Sequence, residues 1–99
     1  MADPEIVHNS DRHRFEIHLD GEVIGRSYYR AEAGRRVFTH TEVDPEHQGK
    51  GLASQLIKVA LDDTRGAGLR VVAQCPAVAA YVAKHHDYDD IVDRDVAPS

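Results

Sequence analysis

The sequence is short of several residue types, and each shortage narrows what the chain can be. Its 99 residues contain one cysteine, Cys75, and no tryptophan. A single cysteine cannot form an internal disulfide, which is consistent with a reducing compartment. No apolar run approaches the roughly 18 residues that a membrane-spanning helix needs. The first residues also lack a basic stretch followed by an apolar one, so we expect no signal peptide, no membrane partner and a cytoplasmic location.

Basic residues are also fewer than acidic ones. Twelve lysine and arginine residues face 17 aspartate and glutamate residues, which gives a formal net charge of −5. Nucleic-acid binding needs a basic stripe that displaces counterions, whereas Arg35–Arg36 is only a pair. We therefore expect no nucleic-acid partner. Five aspartates between Asp87 and Asp95 indicate either a solvated acidic segment or an acidic rim that attracts amines.

Length and composition predict one small domain. A chain of 99 residues, 41% hydrophobic and 29% charged, is too short for an eight-fold strand–helix barrel or a full dinucleotide-binding fold. We expect an ordered core from about residue 5 to about residue 92. The seven histidines show no cysteine–histidine pairing at the spacing of a zinc site, so we expect no metal.

The first half of the chain predicts an antiparallel meander. Residues 15–19 alternate apolar and polar side chains, as a half-buried strand does, and residues 22–30, with Val23, Ile24 and Tyr28–Tyr29, are predicted as the return strand. The dipeptide Asp20–Gly21 between them favours a tight hairpin turn in which both residues adopt positive φ. Gly25 is expected to mark a bulge or a close approach of two backbones. Residues 6–8 can join the edge as a short strand.

A third strand is predicted over residues 36–43. Simple alternation divides its side chains between two faces of the sheet. One face is expected to carry Val37, Thr39, Thr41 and Val43, and the other Phe38, His40 and Glu42.

The second half predicts a βαβ unit. Residues 52–65 have helical apolar spacing, and residues 69–75 are typical of a short buried strand. The two strands around this helix are expected to be parallel. Pro76 suits the first turn of a second helix that continues to about His86, and residues 91–92 can add one short strand. The fold class is therefore α+β, a mixed sheet with helices on its faces.

The loop between the third strand and the first helix carries the strongest functional signal. Gly49 and Gly51 lie where a strand ends and a helix begins, and the first N–H groups of that helix are unpaired at the positive end of its dipole. The loop therefore predicts a phosphate or pyrophosphate site, or else a tight turn without a ligand. The nucleotide-binding motif Gly-x-x-x-x-Gly-Lys-Ser/Thr is absent. A dinucleotide fingerprint lacks its acidic residue, because the next strand ends in Gln74–Cys75.

The hexapeptide Gln48-Gly49-Lys50-Gly51-Leu52-Ala53 is similar to the Gln/Arg-x-x-Gly-x-Gly/Ala signature of the GNAT superfamily of acyl-CoA-dependent N-acetyltransferases. The order of elements, a cysteine near the end of the fifth strand and a tyrosine on the next helix resemble the short single-domain members, over roughly residues 15–88. The resemblance implies transfer of acetyl from acetyl-CoA to a small amine, or to a lysine or N-terminus of a protein. The alternative is a non-catalytic module that binds coenzyme A.

The resemblance also implies where the cofactor lies. Backbone N–H groups of the signature loop would hold the pyrophosphate, and Lys50 could add a charge contact. The pantetheine arm would lie between two splayed strands, the one ending at Val43 and the one at 69–75. The implied cofactor-binding residues are Thr41, Val43, Gln48, Gly49, Lys50, Gly51, Leu52 and Ala53.

Catalytic roles follow from the same resemblance. Tyr81 resembles the family's tyrosine acid, since a phenol of pKa near 10 can protonate a thiolate; the alternative is a core tyrosine. The Val43 N–H is the implied holder of the carbonyl oxygen. Glu42 and His40 are candidate bases, acting directly or through water. Cys75 is a candidate nucleophile, a wall of the substrate site or a packing residue, with direct transfer as the expected route.

The acceptor side departs from the larger members of the family. They have two helices near the N-terminus that wall the acceptor site, whereas only strands precede the signature here. The acceptor site is therefore open or completed by a partner, in a monomer or a homodimer. An open site favours a protein or peptide acceptor.

Overall fold

The computed structural model describes residues 3–93, which form five strands and two α-helices. The strands are β1 (Glu5–Asn9), β2 (Arg14–Leu19), β3 (Glu22–Glu32), β4 (Arg35–Val43) and β5 (Arg70–Ala73), and the helices are α1 (Leu52–Gly66) and α2 (Pro76–Lys84). Three short 3-10 turns lie at Ser10–Arg12, Pro45–His47 and His86–Tyr88. Neither helix of this described part has the length and apolar character needed to cross a membrane.

The strands are ordered β1-β2-β3-β4-β5 in one sheet. The first four are antiparallel neighbours, and β4 and β5 are parallel, with α1 in the connection between them. Val92 adds an isolated parallel bridge to Val71 at the outer edge of β5. The predicted meander followed by a βαβ unit is confirmed, as is the edge strand β1.

The hairpin between β2 and β3 has the predicted geometry. Asp20 and Gly21 both have positive φ, 52° and 83°. Both features predicted for Gly25, a bulge and a close approach of two backbones, are present. The register of β3 shifts next to it, since Ile17 pairs with Gly25 while His18 pairs with Val23. A Cβ at Gly25 would also lie 2.8 Å from Cγ2 of Ile17, so the strands come too close here for a larger residue.

A second bulge interrupts β4. Tyr29 of β3 pairs with Phe38, whereas the preceding Tyr28 pairs with His40. Thr39 is therefore an extra residue that no residue of β3 faces in the register, although its Oγ1 donates to the Tyr28 carbonyl at 3.5 Å. Such an insertion changes which side chains face which way along the rest of the strand.

The bulge overturns the simple alternation expected for this strand. Ser27 pairs with Thr41 and Tyr29 pairs with Phe38. Because Ser27 and Tyr29 are two residues apart on β3, they share a face, and so do their partners Phe38 and Thr41. The prediction that Thr41 and Val43 lie opposite Phe38 was wrong. His40 and Glu42 do share the other face, as expected.

The two faces of the sheet differ in character. The inner face, which carries Phe38, packs against both α1 and α2. Its buried core is a single cluster, with members on every strand but β1 and on both helices: Phe15, Ile17, Ile24, Tyr29, Phe38, Leu52, Leu56, Ile57, Ala60, Leu61, Val71, Cys75, Val78, Val82, Tyr88 and Val92, with Ile6 of β1 packed against it. Neither of these helices covers the outer face, which carries His40 and Glu42.

Glu16 is the buried polar centre of the outer face. Its side chain is 6% exposed. The carboxylate accepts hydrogen bonds from Asn9 Nδ2 at 3.1 Å and Arg14 Nε at 2.6 Å, and His18 Nε2 lies 2.8 Å away. Burial alone would raise its pKa, but the contacts with His18, Arg14 and Asn9 outweigh burial and lower the pKa to about 2.

Candidate active site

The sheet opens between β4 and β5. The parallel pairing covers only Arg35–Phe38 of β4. It ends where the backbone N–H groups of Gln74 and Cys75 both donate to the Phe38 carbonyl oxygen, at 3.1 and 2.8 Å. Strand β4 continues to Val43 without β5 beside it, because the chain turns into α2 at Pro76. The two strands therefore part, as predicted.

The backbone of β4 directs free polar groups into this gap. The N–H of Asp44 donates to the carbonyl of Ile24 at 2.8 Å. In an antiparallel ladder, hydrogen-bonded and non-hydrogen-bonded residues alternate, so Glu42 directs its backbone groups toward β3. Thr41 and Val43 then direct their N–H and C=O groups the other way, toward the side that β5 has left.

One side chain closes the far end of the gap. Gln48 Nε2 donates to the carbonyl oxygen of Val43 at 3.0 Å. We call the stretch of gap between the Phe38 carbonyl and the Gln48 amide the slot. Three backbone groups of the described chain are left open in it beyond the bulge: the N–H and C=O of Thr41 and the N–H of Val43.

The signature loop continues from the end of the slot. Gly49 and Gly51 have φ of +80° and +74°, and a Cβ built at either would meet nothing within 4 Å. A hollow of about 120 Å³ lies beside them, which we call the loop hollow. Gly51 is the N-cap of α1 and supplies no side-chain cap, so the first N–H groups of the helix remain uncapped by side chains. Within the described chain, the buried Nδ1 of His47, which lines the hollow, has no hydrogen-bond partner.

A second cavity of about 310 Å³, the helix groove, lies between α1 and α2. It is lined on α1 by Ala53, Ser54 and Ile57 and on α2 by Ala77, Ala80 and Tyr81. The small residues of both helices keep it open. Ala53 and Ser54 line the loop hollow as well. The two cavities therefore form one continuous surface from the signature loop to Tyr81.

Tyr81 is half-buried in the wall of this groove. Its ring stacks on His85, with 4.0 Å between the ring centroids. Burial raises the pKa of Tyr81 above its ordinary value of 10.0, and the net effect of nearby charges does not reverse this. No hydrogen bond to its hydroxyl is found among residues 3–93. The phenol is thus a protonated donor at neutral pH with its hydroxyl available to a ligand.

Cys75 lies at the point where the strands part, but it is only 2% exposed. Its Sγ donates to Oγ1 of Thr41 at 3.4 Å, and Thr41 Oγ1 is 2.9 Å from Oγ of the buried Ser27. The thiol is thus part of a short buried polar chain on the inner face. Ser27 was missed from the sequence, although a polar residue on the apolar face of a strand is a usable signal.

Glu42 lies apart from these groups, on the outer face. Its Oε1 is 3.9 Å from Nε2 of His40, and both side chains are largely exposed. The structure therefore brings together Thr41, Val43, Gln48 and the loop, and lets Tyr81 approach them from the helix groove. It separates Glu42 from Cys75 by the thickness of the sheet.

Comparison with known proteins identifies the family. The model of the GCN5-related N-acetyl-transferase family matches residues 14–91. The chain belongs to this family of N-acetyltransferases. The resemblance seen in the sequence is confirmed. The slot, the loop hollow and the helix groove all lie within the matched residues.

Solved structures of other proteins share this fold. A GCN5-like protein from Staphylococcus aureus superposes with a TM-score of 0.72 at 23% identity, covering 94% of this chain and 91% of that one. The ribosomal-protein-alanine N-acetyltransferase from Brucella melitensis biovar Abortus 2308 gives 0.57 at 21% identity, covering 98% and 94%. No curated protein sequence matches the chain.

Proposed function

We propose that the protein transfers an acetyl group from acetyl-CoA to an amine. The observation that carries the proposal is the slot, which is continuous with an open glycine loop and a groove leading to a protonated tyrosine. To bind acetyl-CoA, the protein needs a site for an extended pantetheine arm that contains amides and for the anionic pyrophosphate at its end. The slot, the loop hollow and the helix groove together suit a ligand of this shape and charge.

The residues present fit the cofactor. The hollow is lined by Gly49 and Gly51, and a Cβ at either glycine would stand in open space. His47, whose buried Nδ1 has no hydrogen-bond partner in the described chain, lines the same hollow. Backbone N–H groups from Gly49 to Ala53 would hold the pyrophosphate, with exposed Lys50 adding positive charge. The Gln48 N–H, which the sequence also suggested, already donates to the Pro45 carbonyl at 3.3 Å. The open groups of Thr41 and Val43 alternate donor, acceptor and donor, which suits the amides of a pantetheine arm.

Acetyl-CoA, when bound, supplies the thioester and its thiol leaving group. The Val43 N–H would donate to the carbonyl oxygen as negative charge develops there. Tyr81 would donate its proton to the departing sulfur; burial raises its pKa, which keeps the phenol protonated at neutral pH but also makes it a weaker acid. Glu42 accepts the proton of the amine, directly or through water, from the outer face.

Direct transfer suits the position of Cys75. A buried thiol that donates to Thr41 is a packing group and a wall of the slot rather than an exposed thiolate. The covalent route through an acetyl-cysteine would require this thiol to lose its proton and leave the core.

The acceptor approaches from the outer face. No described helix covers Glu42 and His40 there, and both side chains are exposed. An uncovered surface admits an amine carried on a large molecule, so we propose a lysine or N-terminus of a protein or peptide, with a small amine as the alternative.

Thermal unfolding with acetyl-CoA, coenzyme A and NAD tests the cofactor. Acetyl-CoA and coenzyme A should raise the unfolding temperature and NAD should not; the absence of a shift with the first two would refute the proposal. Release of free thiol from acetyl-CoA in the presence of a panel of amines and peptides then tests catalysis. Binding without amine-dependent thiol release would instead identify a non-catalytic coenzyme A-binding module.

A further inference from the structure

The signature residue Gln48 has an unusual position for a residue of a ligand-binding loop, because its side chain points back at the protein. Its Nε2 donates to the Val43 carbonyl at 3.0 Å, on the gap side of β4. In the lower part of the strand, that side is occupied by β5, and the N–H groups of Gln74 and Cys75, directly after β5, bond to the Phe38 carbonyl. The Gln48 amide therefore stands where a strand N–H would stand if the sheet had continued.

The peptide group between Val43 and Asp44 is consequently held from both sides. On the β3 side, the Asp44 N–H donates to the Ile24 carbonyl at 2.8 Å. On the gap side, the Val43 C=O accepts from Gln48. This peptide group is the last of β4 and leads into the segment that ends in the signature loop. Its orientation therefore sets the direction in which the chain leaves the strand and the direction of the neighbouring Val43 N–H.

We propose that Gln48 is a positioning residue: its side-chain amide replaces the missing strand at the end of the slot and fixes the last peptide of β4. This inference rests on the proposed function for its catalytic consequence. Gln48 thereby limits the slot to three open backbone groups, and it keeps the Val43 N–H aimed at the reacting carbonyl. In this positioning role, the side chain of Gln48 makes no contact with the cofactor.

The proposal distinguishes two roles that a loop glutamine could have. A side chain that contacts the cofactor directly would weaken cofactor binding when removed and leave the protein unchanged without ligand. A positioning side chain would alter the free protein first, and would lower kcat more than it raises KM, because the Val43 N–H stabilises charge that develops during the reaction.

The first experiment uses the free protein. Gln48→Met keeps the length of the side chain and removes the donor, and Gln48→Arg restores a donor. Amide hydrogen exchange of Asp44, followed by NMR, should be about 3- to 10-fold faster in Gln48→Met, as expected for the loss of one hydrogen bond, and near the original rate in Gln48→Arg. Gln55→Met, on the exposed side of α1, serves as the matched control and should change nothing at Asp44.

The second experiment uses coenzyme A and acetyl-CoA. Gln48→Met should lower kcat about tenfold and change the Kd for coenzyme A less than threefold, while its unfolding temperature stays close to that of the Gln55→Met control. Unchanged exchange at Asp44 would overturn the proposal, and so would a large rise in Kd with kcat unaffected. If the unsubstituted protein binds no coenzyme A, the proposed function fails, and the exchange of Asp44 alone decides whether Gln48 positions the last peptide.

Discussion

Arg36 of β4 and Asp63 of α1 are joined by a hydrogen-bonded ion pair, with 2.8 Å between Nη1 and Oδ2. The same Nη1 is 3.1 Å from Thr64 Oγ1, and the guanidinium lies over the rings of Phe15 and Tyr29. This contact fixes the C-terminal end of α1 on the sheet. It thereby helps to hold the N-terminal end of α1, which the signature loop joins.

Asp63→Asn should therefore lower the free energy of unfolding. It leaves the Arg36 side chain, 11% exposed, without its counter-ion, but Asp63 is 41% exposed and water screens the pair. The expected loss is about 1 kcal/mol, measured by urea unfolding. Arg30→Met, which breaks the pair with Glu32 on the surface, is the control and should cost less stability. Equal losses in the two variants would contradict the structural role of Arg36.

Glu16 makes stability depend on acid pH. Its pKa falls from an ordinary 4.5 to about 2 in the folded protein, so the unfolded chain binds the proton more readily. The stabilisation is present above pH 4.5 and is lost as the pH falls toward 2. Since a tenfold change in an acid dissociation constant corresponds to about 1.4 kcal/mol, the contribution is on the order of 3 kcal/mol.

The Glu16→Gln variant tests this dependence. It should show less change in unfolding free energy between neutral pH and pH 3 than the unsubstituted protein does. Urea unfolding at several pH values makes the comparison. Parallel curves for the two proteins would mean that other carboxylates govern acid unfolding.

Gly51 and Gly68 offer a matched test of the signature loop. Their φ values are +74° and +73°, and a Cβ at either meets nothing within 4 Å. Gly51→Ala and Gly68→Ala should therefore destabilise the protein alike, by about 1 kcal/mol, because both force alanine into the left-handed region. Of the two glycines, only Gly51 lines the loop hollow, so only Gly51→Ala adds a methyl group to its lining.

Affinity separates the two glycine variants. Gly51→Ala should weaken coenzyme A binding by at least about tenfold, the effect of losing one hydrogen bond to an anion. Gly68→Ala should leave the affinity unchanged. Isothermal titration gives both values, and equal affinities would show that the hollow is not where the cofactor binds.

Tyr81→Phe tests the proposed acid. It removes the hydroxyl and keeps the ring that stacks on His85. We expect turnover to fall on the order of 100-fold with little change in coenzyme A affinity. Tyr28→Phe, on the outer face, is the comparison and should retain most of the turnover. Full activity in Tyr81→Phe would assign the proton transfer elsewhere.

Cys75→Ala distinguishes direct transfer from the covalent route. The variant should keep turnover within about threefold of the original, and lose about 1 kcal/mol of stability from the buried volume that it gives up. Mass spectrometry after mixing with acetyl-CoA should show no acetyl group retained at residue 75. Complete loss of turnover in a folded variant would instead support the nucleophile.

Local signals predicted most of the fold. The Asp20–Gly21 turn, the alternation of β2 and the apolar spacing of α1 act over a few residues, so the sequence displays them directly. The bulge at Thr39 was not predicted because it depends on how β4 pairs with β3, and no residue in β4 itself signals it. This one residue decided which face Thr41 occupies.

The candidate site also contains residues that the sequence identified and contacts that only the structure shows. The glycine loop and Tyr81 carry their signals in the sequence, through the signature and the spacing. The bond from Gln48 to Val43 depends on the path of the loop between them, and the chain from Cys75 through Thr41 to Ser27 depends on tertiary contacts over 34 and 14 residues. Pattern analysis sees each of these residues singly and cannot bring them together.

The bulge at Thr39 gives the two halves of β4 separate tasks. Before it, the strand is tied on one side to β3 and on the other to β5, and its substitutions affect the architecture of the whole sheet. After it, β3 is the only described strand that pairs with β4, and the free edge carries the open backbone groups of Thr41 and Val43. Substitutions in this second half can therefore alter the slot while the pairing that carries the fold stays as it is.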